Sequence, residues 1–108
     1  MGIFEIIQSR KEEIIEIAHK HGADNVRVFG SVARGEETSD SDIDFLIEIP
    51  DFSKISFFFP GGLIVDLEKL LGRKVDIVIY SALKPKIKPE ILRDAKALWI
   101  EMNKKLTI

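Results

Sequence analysis

The chain contains no cysteine, which rules out disulfides and any metal site built on thiolates. It also lacks any apolar run approaching the roughly 20 residues that a membrane-spanning helix needs. Its opening stretch carries Glu5, Arg10, Lys11, Glu12 and Glu13, so the apolar core of a secretory signal is missing too. Charge of one sign is equally scarce. Sixteen Lys and Arg stand against 18 Asp and Glu, for a formal net charge of −2. That balance exerts no broad pull on nucleic acid or an anionic membrane. No basic stretch is interleaved with aromatics as in a nucleic-acid interface. A cytoplasmic protein that binds neither membrane nor nucleic acid is expected.

What is present fits one small globular domain spanning residues 1–108, with 45% hydrophobic and 31% charged residues. Residues 3–21 read as one amphipathic helix: Ile3, Ile7, Ile14 and Ala18 recur at helical spacing, while Glu5, Glu12, Glu13, Glu16 and Lys20 fall on the other side. His19 and His21 lie near its end, where a cation suits the helix dipole, and Gly22 is a natural stop. Residues 25–30 alternate as a strand does, and residues 31–35 read as a turn or helical start. A second strand over 43–49 is ended by Pro50. Residues 63–71 form a helix stopped by Gly72, and 74–80 a third strand. Pro85 and Pro89 introduce a last helix over 90–96, with an extension to Glu101 left open. The order is α-β-α-β-α-β-α, an α/β (α+β) domain with a small mixed sheet and helices packed against it. The first two strands are expected to be antiparallel neighbours, because the loop between them is too short for a parallel crossover.

The chemistry concentrates in Gly30-Ser31-Val32-Ala33-Arg34-Gly35, a polar loop, and then Ser41-Asp42-Ile43-Asp44. Residues i and i+2 of a strand share a face, so Asp42 and Asp44 project together. Two adjacent carboxylates repel unless a cation sits between them, and Mg²⁺ is a hard ion that pairs carboxylates with substrate phosphates. Asp76 interrupts the apolar run Val75-Asp76-Ile77-Val78-Ile79, where a carboxylate is costly to bury without a partner. If its strand lies beside the second, three carboxylates are able to hold two Mg²⁺ ions, the arrangement that serves attacking and leaving oxygens in phosphoryl chemistry. Gly30 lets backbone approach a phosphate closely, and Ser31 offers a hydroxyl and N–H groups to anionic oxygen. Each piece alone has an ordinary reading: a turn for Gly30-Ser31, a loop edge or cap for Asp42 and Asp44, a water-facing edge residue for Asp76. Arg34 is read as a brace that pairs with an acid rather than a phosphate ligand.

Taken together, Gly30-Ser31, ten residues, and then Asp42-x-Asp44 resembles the signature of the DNA polymerase β-like nucleotidyltransferase superfamily. The fuller text, Gly-Ser-x-Ala-Arg-Gly-x₅-Ser-Asp-x-Asp, is similar to its minimal nucleotidyltransferase branch, the MntA-type antitoxins paired with HEPN toxins. The likeness continues through residues 67–78, where that family places a third acid, and through the closing helix at 89–97. The resemblance implies that Asp42 and Asp44 ligate Mg²⁺ and the phosphates of ATP. By the same token Asp76 completes the metal site and helps activate the attacking hydroxyl, while Gly30 and Ser31 hold the β and γ phosphates. In the antitoxin branch AMP goes to a tyrosine of the partner HEPN toxin. Two alternatives stay open: a non-catalytic module that neutralises its partner by occupation, and nucleotidyl transfer to a small molecule.

One stretch departs from that pattern. Phe57-Phe58-Phe59-Pro60-Gly61-Gly62 is unusually aromatic for a connecting segment. The rings are expected to cap the core beneath their loop, since buried aromatics carry much of a small core's energy; the alternative is an exposed patch for a partner.

Overall fold

The computed structural model describes residues 2–98. In chain order the elements are α1 (Ile3–Ser9), α2 (Lys11–Lys20), β1 (Asp24–Phe29), α3 (Gly30–Arg34), β2 (Ile43–Glu48), α4 (Gly61–Leu71), β3 (Val75–Ile79), α5 (Lys88–Asp94) and β4 (Lys96–Ala97). Short 3₁₀ turns at Phe52–Lys54 and Tyr80–Ala82 fill two connections. The strands form one mixed sheet in the order β3-β2-β1-β4. β1 runs antiparallel to both β2 and β4, and β3 runs parallel to β2.

Two elements differ from the sequence expectation. The first helix is broken at Arg10. There the Ser9 hydroxyl donates to the Ile6 carbonyl at 2.6 Å, and the Arg10 amide is shared between the carbonyls of Ile6 and Ile7. Such back-bonding competes with the regular helical ladder and bends it. The last helix stops at Asp94 rather than Lys96, and Lys96 and Ala97 instead form β4, paired with Val28 and Arg27 of β1. Two residues are too few to display an alternating pattern, so only the free edge of β1 reveals this strand. The extension toward Glu101 lies outside the described residues.

Strand alternation sorts the sheet into two faces. Ile43, Phe45 and Ile47 of β2, with Val26 and Val28 of β1, join the main core, where Ile7, Ile14 and Ala18 of the first two helices and Leu63 and Leu67 of α4 meet them. Asp44, Leu46 and Glu48 take the opposite face of β2 and lie level with Phe29 and Arg27 of β1. The end of α2 is tied to α4 by His21, whose Nε2 lies 2.7 Å from Asp66 Oδ2; that bond holds the Asp66 carboxyl below its usual range. Gly22 ends α2 in a left-handed conformation, and His19 pairs with Asp24. Both histidines are therefore helix-end residues, as the dipole argument expects.

The aromatic segment overturns its expectation. Phe57 is 95% exposed and Phe58 78% exposed, stacked edge to face on each other, and only Phe59 packs against the core. Residues 57–60 form tight turns leading into α4, and these bring Phe59 alone of the three rings against the core. Replacing Phe58 with Ser should shift stability by less than about 0.5 kcal/mol, as surface substitutions do. Replacing the fully buried Phe45 with Ala should cost about 3–5 kcal/mol. Denaturant unfolding of both variants checks this contrast.

Candidate active site

The acids gather at the end of the sheet where β1 finishes and β2 and β3 begin. Asp44 is the second residue of β2, Asp76 the second of β3, and the parallel register sets the two directly side by side. Across the other edge of β2, Asp44 pairs with Phe29, the last residue of β1, just ahead of Gly30. Asp42 sits two residues before Asp44 in the loop entering β2. Asp42 and Asp44 are half-buried, whereas Asp76 is exposed.

Electrostatics tie the three together. Burial, and then the negative charges of Asp76 and Asp42, push the Asp44 carboxyl above the usual carboxylate range, while Arg34 pulls the other way. The three side chains are not closed into a ready cage. Among the described residues no group of three His, Asp or Glu side chains is placed to hold a metal ion as it stands. The donor set nevertheless fits a hard divalent cation: every candidate ligand is a carboxylate, and the central one bears repulsion from both neighbours.

Gly30 is required where it stands. Its φ is +75°, and a Cβ there would collide with the Asp44 carboxylate, so a side chain at this position would push the central acid aside. Ser31 follows in the first turn of α3, half-buried, and its carbonyl accepts the Glu36 amide at 2.9 Å, which wraps the turn closed. Gly30 and Asp44 thus touch across the β1–β2 pair, although 14 positions separate them in the chain. Arg34 acts as the expected brace: it bonds Glu36 at 2.8 Å and reaches Asp94 at the end of α5 at 2.7 Å.

An open cleft of about 390 Å³ adjoins Asp42, between residues 39–42 and 72–74. Arg73 crosses it, and its Nη2 donates to the carbonyls of Ser41, Thr38 and Ser39 at 2.8, 3.0 and 3.3 Å. Sequence reasoning passes over Arg73 because its contacts lie more than 30 positions upstream; only the meeting of the two loops brings them together.

Residues 10–98 match the model of the nucleotidyltransferase domain family. The chain belongs to that family, in its minimal form. A Thermococcus cleftensis protein named protein adenylyltransferase MntA is 37% identical over 89 residues, which take in 82% of this chain and 85% of the relative. A Methanocaldococcus jannaschii protein named as a candidate protein adenylyltransferase is likewise 37% identical over 89 residues, covering 82% of this chain and 94% of its own. A solved structure named for the minimal nucleotidyltransferases superposes with a TM-score of 0.74 at 38% identity, over 93% of this chain and 97% of that one. A toxin–antitoxin assembly solved with AMP-PNP contains a chain that shares the fold: TM-score 0.69, 21% identity, 89% of this chain and 78% of that one. The nucleotidyltransferase fold is therefore matched along nearly all of the described chain, and no described helix is long and apolar enough to cross a membrane.

The charge balance of this nucleotidyltransferase leads to a first check on its site. The Asp44 carboxyl titrates above its unfolded value, so its contribution to stability is full at low pH and is lost as pH rises through the folded value. Asp44→Asn should therefore stabilise the metal-free protein at neutral pH relative to wild type, with the difference fading on acidification. Thermal melts across pH, run in chelator, read this out.

Proposed function

We propose that the chain transfers AMP from ATP to a tyrosine hydroxyl of a partner HEPN toxin, with Asp42, Asp44 and Asp76 as the catalytic acids. The observation that carries this reading is the meeting of Asp44, Asp76 and Gly30 at one end of one sheet face, with Asp42 close enough to perturb Asp44. Carboxylates that repel one another in a half-buried setting are poised to receive a divalent cation together with a polyphosphate. Kinship with proteins named protein adenylyltransferase, one of them the Thermococcus cleftensis MntA, supports AMP as the transferred group and a protein as the acceptor.

In this scheme Gly30 and Ser31 receive the β and γ phosphates, because only backbone without a Cβ leaves Asp44 and the phosphate tail in the same space. Asp42, Asp44 and Asp76 are the residues that would hold Mg²⁺ there. When bound, such a cation would supply neutralisation of the charge that develops on the phosphates. In this reading Asp76, exposed at the rim, accepts the proton of the incoming hydroxyl. The hydroxyl oxygen bonds to the α-phosphorus as the bond to pyrophosphate breaks. The first turn of α3 and the β1–β2 register keep the phosphate-binding backbone and the acids at a fixed separation, which is how positioning lowers such a barrier.

Incubation with Mg²⁺, α-labelled ATP and the protein encoded beside this one should label that partner. Asp42→Ala or Asp44→Ala should lower the labelling rate by about 10²-fold or more, since metal-borne charge stabilisation is worth several kcal/mol. Inhibition of the partner without any label, surviving both substitutions, would instead establish neutralisation by occupation.

A further inference from the structure

Arg73 lies at the junction between α4 and β3, one residue past Gly72, which ends the helix, and three before Asp76. A single terminal nitrogen of its guanidinium serves three backbone carbonyls, those of Thr38, Ser39 and Ser41. Its Nε is buried without a hydrogen-bond partner among the described residues. Arg73 as a whole is half-buried, and its terminal nitrogen rests on the loop carbonyls, an arrangement that weakens unless those carbonyls stay in place.

The loop it holds runs directly into Asp42. Among the described residues, the other hydrogen bonds of residues 38–41 are internal to the turn: Ser41 N to the Thr38 carbonyl, Thr38 N to Ser41 Oγ, Asp40 N to Thr38 Oγ1, and one between the two hydroxyls. Those bonds shape the turn without fixing where it points. Asp44 and Asp76 are different, since both sit inside the sheet ladder and are immobilised by it. The ladder reaches the loop only at its end, where the Ile43 amide meets the Lys74 carbonyl at 2.9 Å.

We propose that Arg73 is a positioning residue for Asp42: by gripping the carbonyls of Thr38, Ser39 and Ser41 it aims the Asp42 carboxylate at the partners that the sheet already holds. The inference rests on the reading of Asp42, Asp44 and Asp76 as a metal–nucleotide site. It adds that this site is assembled from two rigid acids and one tethered acid, and that the tether is an arginine from the far side of the cleft. Loss of the tether leaves the core and the sheet intact and frees Asp42 alone.

Calorimetric binding of Mn²⁺–ATP to the full chain, with amide exchange at residues 38–42 and thermal melting, tests this. Arg73→Met keeps the apolar stem and removes the donors. It should weaken Mn²⁺–ATP binding by about tenfold or more, the range seen when a group orienting a metal ligand is lost. Exchange at 38–42 should accelerate while the melting temperature stays near that of wild type. Arg73→Lys should recover much of both losses, because an ammonium also offers three donors to carbonyls. Unchanged affinity in Arg73→Met overturns the proposal. So does a lowered melting temperature with unaltered affinity measured well below it, which marks a merely structural residue. If wild type fails to bind Mn²⁺–ATP, or Asp44→Asn binds it equally well, the reading of the acids fails instead. Amide exchange still reports in that case whether Arg73 holds the turn.

Discussion

The burial of Asp44 beside the charges of Asp76 and Asp42 is the constraint on which this end of the sheet depends. A half-buried carboxylate flanked by two others is unfavourable in isolation, and the Asp44 carboxyl is driven upward as a result. The fold sustains that cost because Asp44 and Asp76 face each other across one rung of a parallel strand pair that the main core holds from the other face. Ile43, Phe45 and Ile47 are almost wholly buried on one side of β2, while Asp44 lies on the other. The period of two in a strand is thus what lets one segment serve both core and chemistry.

Around that centre, the chain supports the site with tethers rather than with depth. Arg34 joins the α3 turn to α5 through Asp94, and Arg73 joins the loop before β2 to the start of β3. Each links segments distant in sequence, and each does so at the rim, where a small domain has little core to spare. Gly30 acts in the opposite sense, by having no side chain where Asp44 needs the space. Charge, tether and empty volume together set the geometry.

The exposed pair Phe57 and Phe58 stands apart from this economy. Both rings lie in the connection that follows the far end of β2, away from the acids, and neither contributes to the core. Composition alone favoured burial, because apolar content says which residues tend to be inside and nothing about which loop has room to turn inward.

Much of the molecule is legible in its residues. Alternation and helical spacing place three of the four strands and most of the helices, and the spacing of Gly30, Ser31, Asp42 and Asp44 points to the family that the chain matches. Those features are local: side-chain period, turn residues and adjacent charges act over a few positions. Other features depend on which segments meet. The break at Arg10 follows from a hydroxyl turned back onto the Ile6 carbonyl. The β4 pairing, the level placement of Asp44 beside Asp76, the space beneath Gly30 and the grip of Arg73 on residues 38–41 all arise from chain segments far apart in sequence. Sequence by itself determined the elements and the kind of chemistry, because these are properties of neighbours along the chain. Only the tertiary structure decided register, exposure and tethering, because each is a property of neighbours in space.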